Sequence, residues 1–185
     1  IQNEISITKN ELKKKLILIC CREAKSNLSL EAEDLSFIGN LKELIIPCKI
    51  LLVKELSKNK ILKIDLQLQK NNQLIFRPGQ YFNIIGKEGN RRSFSIYSFD
   101  NKKQIISFVI EKIEKGFFGN YISQLKANHL LYIEGPFGTF CYRKSKFRNV
   151  IFLAAGTGIV PIKHIIQYIS ENSKKFKNLN IYLFW

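Results

Sequence analysis

Apolar and polar residues alternate through the middle of the chain, most clearly in Ile61-Leu62-Lys63-Ile64-Asp65-Leu66-Gln67-Leu68. A period of two puts every second side chain on one face and predicts a half-buried β-strand. The same pattern predicts strands over 48–53, 81–85, 92–97, 104–110, 130–134 and 139–142. Turns are predicted at Arg77-Pro78-Gly79-Gln80, over 86–90 and at Gly135-Pro136-Phe137-Gly138, where glycine and proline punctuate the pattern. A short helix is predicted over 120–125. Six or seven short strands in about a hundred residues predict a small antiparallel barrel.

The rhythm changes at Asn149. Val150-Ile151-Phe152-Leu153-Ala154-Ala155 is continuously apolar, as expected of a buried parallel strand. Gly156-Thr157-Gly158 makes a tight turn, and Ile162, Ile165, Ile166 and Ile169 then form a helical stripe. A polar connection over 170–179 leads to a further strand over 180–185, which completes one βαβ unit. The fold class predicted is therefore β plus α/β: an antiparallel barrel followed by the start of a doubly wound nucleotide-binding domain. Ahead of the barrel lie Leu16-Ile17-Leu18-Ile19, the pair Cys20-Cys21, a short alternating strand over 28–32, and an acidic stretch over 31–40 that reads as a linker.

Composition narrows the function classes. The 185 residues are 45% hydrophobic and 24% charged, ordinary for a globular protein. No apolar run reaches the length needed to cross a bilayer, and residues 1–10 lack the pattern of a secretory signal. Four cysteines, two of them adjacent and none in a C-x-x-C pair, do not suit a disulfide scaffold, so a cytoplasmic setting is expected. The net charge of +15 favours anionic ligands such as dinucleotides and an acidic redox partner. It would equally favour nucleic acid, but no nucleic-acid-binding motif accompanies it. The chain holds no methionine and stops directly after a strand pattern, so a piece of a longer protein is expected.

Four motifs carry candidate chemistry. In Arg92-Ser93-Phe94-Ser95 an arginine, an aromatic ring and a hydroxyl at alternating positions are read as sharing one strand face. The guanidinium can hold a diphosphate with two hydrogen bonds, the ring can cover a planar heterocycle, and the hydroxyl can meet a ring nitrogen. Lys115-Gly116-Phe117-Phe118-Gly119-Asn120 opens a helix, where free amides attract an anion by about 0.3–1 kcal/mol. Glu134-Gly135-Pro136-Phe137-Gly138-Thr139-Phe140 reads as a reverse turn joining two strands. Ala154-Ala155-Gly156-Thr157-Gly158-Ile159-Val160-Pro161 is a strand, glycine turn and helix start of the kind that cradles phosphates, with Pro161 suited to the first helical turn. Taken singly, each is ordinary barrel wall, cap or turn. His129 and His164 match no metal-ligand spacing and read as surface or packing residues.

Their order and spacing resemble the ferredoxin-NADP reductase superfamily over about 47–185. Arg92-Ser93-Phe94-Ser95 is similar to its R-x-[YF]-[ST] flavin motif, and Arg77-Pro78-Gly79-Gln80-Tyr81 to its P-G-Q-[YF] segment. Gly135-Pro136-Phe137-Gly138 is similar to its G-P-x-G turn, and Ala155-Gly156-Thr157-Gly158-Ile159-Val160-Pro161 to its G-G-T-G-x-x-P nicotinamide loop. The nearest likeness is to reductases with an amino-terminal plant-type ferredoxin domain: CDP-6-deoxy-glucoseen reductases and reductase components of ring oxygenases.

The resemblance implies a flavoprotein reductase in which a hydride passes from NAD(P)H to the N5 atom of FAD. Electrons would pass on to an iron–sulfur centre and a redox acceptor protein or domain. It implies three parts: 1–40 as the remnant of a ferredoxin-type domain plus linker, 46–146 as the FAD-binding barrel, and 147–185 as a truncated NAD(P)-binding domain. Ser95 is the implied catalytic hydroxyl beside N5. Arg92, Ser93, Phe94, Ser95, Val109, Ile110, Gly116, Phe117, Phe118, Gly119 and Asn120 are implied flavin-site residues, and Gly156, Thr157 and Gly158 would receive the nicotinamide dinucleotide. Cys20, with Cys21 second, is the implied ligand of a 2Fe-2S cluster. The C-x4-C-x2-C loop that supplies the other thiolates is absent, so the cluster is expected in a full-length parent only. Phe94 stands where tyrosine is commoner, Ala155 where glycine is usual, and Gly119 where a small hydroxyl residue is frequent. Two alternatives stay open: a cluster-free NAD(P)H:flavin reductase, and a basic nucleic-acid-binding module.

Overall fold

Inward-facing residues recur at every second position along six strands, and together they make one core. On β1 (Leu44–Ser57) they are Ile46, Cys48 and Ile50, and on β2 (Ile61–Leu68) Leu62, Ile64, Leu66 and Leu68. Strand β3 (Tyr81–Ile85) contributes Phe82 and Ile84, β4 (Arg91–Asp100) Ile96, β5 (Ile105–Glu111) Ile106, Phe108 and Ile110, and β6 (Leu130–Phe137) Leu131 and Ile133. The strands close in the order β1-β2-β5-β4-β3-β6, every pairing antiparallel. Closure leaves no unpaired barrel edge. The predicted barrel is the one observed.

The computed structural model describes residues 7–39, 42–58, 60–69, 74–113 and 116–185. The chain divides into two units, Ile1–Asp34 and Leu35–Trp185. In the first, helix α1 (Lys9–Lys13) opens on a capping box: Thr8 N–H donates to Glu11 Oε2 at 2.8 Å and Glu11 N–H donates back to Thr8 Oγ1 at 3.3 Å. A 3-10 turn follows at Ile19–Cys21. The strand predicted over 28–32 is not formed, because nothing among the described residues of this unit pairs with it and its Leu28 and Leu30 stay exposed. Asn40 of the predicted linker lies outside the described residues.

Two barrel expectations need correction. Gly135-Pro136-Phe137-Gly138 is not a hairpin turn, and 139–142 is not a strand. Strand β6 runs through Gly135 and Pro136 to Phe137, pairing Gly135 with Leu44 and Phe137 with Tyr81. The β3–β6 register shifts here, so Gly135 and Pro136 together oppose Phe82. A bulge accepts a proline that has no amide to donate. A Cβ on Gly135 would stand 2.8 Å from the Phe82 ring, which explains the glycine.

Polar pairs organise the outer face of the barrel. Ser107 lies directly opposite Asp65 and donates to its Oδ1 at 2.6 Å, while Lys63 Nζ approaches the same carboxylate at 2.8 Å. Ser107→Ala should cost about 1–2 kcal/mol in urea unfolding, since a nearly buried, charge-assisted hydrogen bond is lost. Inside the barrel, burial pushes the Cys48 thiol up to about 12, so this cysteine packs rather than reacts.

Beyond the barrel, β7 (Asn149–Leu153) pairs in parallel with β8 (Asn180–Phe184), and helix α3 (Ile159–Glu171) connects them. Ile162, Ile165 and Ile169 of α3 pack on Phe152 of β7. The apolar run was expected to be buried on both faces, yet Ile151 and Leu153 are 63% and 73% exposed. Alternate residues point to opposite faces, and α3 covers only the face that carries Phe152.

Helix α3 also packs against β4. His164 sits in that seam, 9% exposed, and burial chiefly pushes its imidazole down to about 4. The unfolded chain takes up a proton near pH 6.5, which the folded chain resists until about pH 4. This contribution to stability is therefore complete above pH 6.5 and lost as the pH falls toward 4. Denaturation series between pH 7 and 4 should show that loss, and His164→Gln should remove this component of it.

Candidate functional site

The site is built where β4 leaves the barrel rim beside the start of helix α2 (Phe117–Gln124). Arg92 pairs across β3 with Ile84 and Phe94 with Phe82, so both point to the core side of the sheet. Ser93 and Ser95 pair with Asn83 and Tyr81 and point to the other side. The expectation that arginine, ring and hydroxyl share a face therefore holds for Arg92 and Phe94 and fails for Ser95. Ser95 stands three positions from Arg92, and an odd offset reverses the face in a strand.

Helix α2 begins three residues earlier than predicted. Its N-cap is Gly116, which has extended backbone, and no side chain caps the first turn. The first-turn amides thus lack an intrahelical acceptor and remain available to an anion. Phe118, in that turn, lies 5.5 Å from Phe94 between ring centroids. Gly119 is required by close approach: a Cβ there would be 3.0 Å from Lys112 Cα. Lys115 lies outside the described residues.

Between these elements lies a cleft of about 620 Å³, a size typical of cofactor sites. Asn90, Arg92, Ser93 and Phe94 form one wall, and Val109, Ile110, Glu111 and Ile113 the floor. Gly116, Phe117, Phe118 and Gly119 form the second wall, and Thr157 stands at the edge. Of the residues singled out from sequence, ten line this cleft. Ser95, Asn120, Gly156 and Gly158 do not. Asn90, Glu111 and Ile113 were missed, although Asn90 continues the Asn90-Arg92-Phe94 alternation and could have been found that way.

Electrostatics separate the two adjacent arginines. Arg91 Nε donates to Glu134 Oε2 at 3.0 Å, and Asn83 Nδ2 donates to the same oxygen at 3.1 Å. The Asn83 hydrogen bond, and after it the Arg91 one, holds the Glu134 carboxyl below its ordinary range. Ser93 Oγ donates to Asn83 Oδ1 at 2.8 Å, so this network fixes the outer side of β4. Arg92 has no acid partner among the described residues and faces the cleft. An unneutralised guanidinium, open helix amides and an aromatic pair together suit a ligand with a phosphate segment and a planar ring. FAD has both, and the donors present fit it.

The turn Gly156–Gly158 leads directly into α3. Gly156 has φ +52°, and a Cβ on Gly156 or Gly158 would meet nothing within 4 Å, so space lies open over this turn. The side chain of Cys20 lies outside the described residues, and no group of three or more metal-ligating residues occurs among those described. No described helix is long and apolar enough to cross a membrane.

Comparison with known proteins adds a family. The oxidoreductase FAD-binding domain matches residues 47–142. The CDP-6-deoxy-L-threo-D-glycero-4-hexulose-3-dehydrase reductase of Yersinia pestis is 30% identical over 181 residues, covering 97% of this chain and 53% of its own length. The toluate 1,2-dioxygenase electron transfer component of Pseudomonas putida is 27% identical over 170 residues, covering 91% of this chain and 50% of its own length. Among solved structures, ferredoxin-NADP+ reductase from Plasmodium falciparum superposes with a TM-score of 0.58 at 26% identity, covering 75% of this chain and 56% of that one. The chain spans about half the length of the curated relatives it matches.

Proposed function

This chain belongs to the FAD-binding oxidoreductase domain family within the ferredoxin-NADP reductase superfamily, and on that premise we propose that it is the flavin-carrying part of an NAD(P)H-dependent reductase. The observation that carries the reading is the pairing of Arg92, unneutralised and facing the cleft, with the uncapped start of α2 and the Phe94–Phe118 pair. Arg92 and the amides of 116–120 hold the diphosphate. Phe94 packs on the isoalloxazine or ribityl chain, Val109 and Ile110 supply the apolar floor, and the turn at Gly156–Gly158 receives the nicotinamide dinucleotide. Ser95 is assigned to the N5 edge of the ring on the motif resemblance alone, since it points to the other side of β4 and does not line the cleft.

Bound FAD would supply the step from a two-electron hydride donor to single-electron acceptors. The protein's contribution is to bind, orient and exclude water. The proposal divides the chain as 1–40 for a ferredoxin-type remnant and linker, 46–146 for the flavin barrel and 147–185 for the opening of the nicotinamide domain. Its acceptor is an iron–sulfur centre carried by the full-length protein, with Cys20 as one ligand, and a downstream redox protein. The setting is cytoplasmic.

The test uses the full-length protein. It should purify yellow, bleach anaerobically with NADH or NADPH, and contain iron. Yellow protein without iron would favour the cluster-free flavin reductase. Colourless protein that gains no flavin on reconstitution would overturn the proposal.

A further inference from the structure

Basic residues crowd at one end of the small parallel sheet. From residue 140 to 185 the chain carries eight basic residues and one acidic, Glu171. Seven of the eight fall in two loops, 143–148 ahead of β7 and 174–177 ahead of β8. Although distant in sequence, the loops are held side by side. Tyr142 meets Phe176 edge-on with ring centroids 5.2 Å apart, and both rings pack against the core beneath α3. Asn180 N–H donates to the Arg148 carbonyl at 2.8 Å, and Asn180 Nδ2 donates to Asn149 Oδ1 at 2.9 Å.

Lys144, Lys146, Arg148, Lys174, Lys175 and Lys177 are all exposed, and none has an acid partner among the described residues. Glu171 is engaged by Gln167, whose Nε2 donates to it at 2.8 Å. Like charges gathered without a counterion repel one another, and the aromatic contact beneath keeps them together. Among them Phe147 is 67% exposed, with Lys146 Nζ 5.6 Å from its ring centre. An anionic surface would relieve the repulsion and cover the ring.

The nicotinamide turn does not use this charge. Both strands begin at the loops, whereas Gly156–Gly158 follows the other end of β7, about 17 Å away. Three anionic partners carry the matching sign. In the function proposed above, an acidic redox acceptor must approach the flavin cleft, whose edge residue Thr157 is at that other end. Single-stranded nucleic acid is bound on several aromatic faces, and Phe147 is the one exposed ring in the two loops. An acidic bilayer needs cations near its headgroups and an apolar side chain to enter between them, and the patch has both.

We propose that the loops 143–148 and 174–177 form a docking face for an anionic membrane surface, with the cations against the headgroups and Phe147 entering the acyl boundary. Seated this way, the Gly156–Gly158 turn lies at the end of β7 away from the bilayer, which keeps it open to solution.

The test is flotation of the full-length protein with vesicles of phosphatidylcholine alone and with about 30% phosphatidylserine, at about 0.1 M salt. Binding to the acidic vesicles should exceed binding to the neutral ones at least tenfold or so, about the effect of two cations, and fall as salt is raised. Lys146→Ala, Arg148→Ala and Lys175→Ala together should weaken it about 100-fold, roughly fivefold for each charge removed. Phe147→Ala should weaken it about tenfold and leave the preference for acidic lipid unchanged. Lys54→Ala, Lys102→Ala and Lys103→Ala together remove the same charge elsewhere and should change binding less than about threefold. Should the first triple variant not fold, Lys146→Glu alone, at an exposed position, should weaken binding about 25-fold. No binding to either vesicle, equal binding to both, or equal loss in the two triple variants would overturn the proposal. Retention of an oligouridylate or of polyglutamate by the same residues, in place of vesicles, would overturn it in favour of a nucleic acid or an acidic protein.

Discussion

Replacing Arg92 with alanine is expected to weaken FAD binding about 100-fold, equivalent to about 3 kcal/mol for a pair of charge-assisted hydrogen bonds. Among the described residues the guanidinium is the one cation lining the cleft, and no carboxylate neutralises it. Its neighbour supplies the control. Arg91 is bound by Glu134 on the outer face, so Arg91→Ala should leave FAD affinity within about threefold, the size of an indirect effect. Titration of both variants with FAD separates a diphosphate clamp from a general loss of positive charge. Equal weakening in both would show that only the overall field matters.

The second large effect concerns the joint between barrel and helix. Gly79→Ala is expected to cost more than about 3 kcal/mol in chemical unfolding. The residue has φ +100°, and a Cβ would collide with the Phe140 carbonyl oxygen and stand 2.8 Å from Ile165 Cδ1 on α3. Neither neighbour can give way cheaply, since one is backbone and the other is a buried side chain of the second core cluster. Gly89 gives the contrast: φ is +78° but nothing lies within 4 Å of its Cβ position, so Gly89→Ala should cost only about 1 kcal/mol of backbone strain.

The barrel was legible because its strands are half-buried, and half-burial writes a period of two into the sequence. Leu62, Ile64, Leu66 and Leu68 are the clearest case, and all four are buried. The parallel strand and the glycine turn after it were legible for a similar reason: a run of apolar residues followed by Gly156-Thr157-Gly158 has few other uses. Gly135-Pro136 misled because glycine and proline mark turns and bulges alike, and only the register against Phe82 tells which. The strand over 28–32 failed because alternation is necessary for a strand but a pairing partner is also needed.

The candidate site was legible as a set of residues and less so as a geometry. Phe94 and Arg92 were found together because they lie two apart. Ser95 was assigned to the same face from a motif whose letters do not encode direction. The burial of His164 in the seam between α3 and β4 left no trace in the sequence, since a lone histidine on a helix has many bland explanations.

The central claim is that the cleft between β4 and α2 is an FAD site. Calorimetric titration of the chain with FAD tests it most directly. One equivalent bound per chain, with affinity falling about 100-fold in Arg92→Ala, is the predicted result. Absence of saturable binding, or binding that Arg92→Ala leaves unchanged, would contradict it.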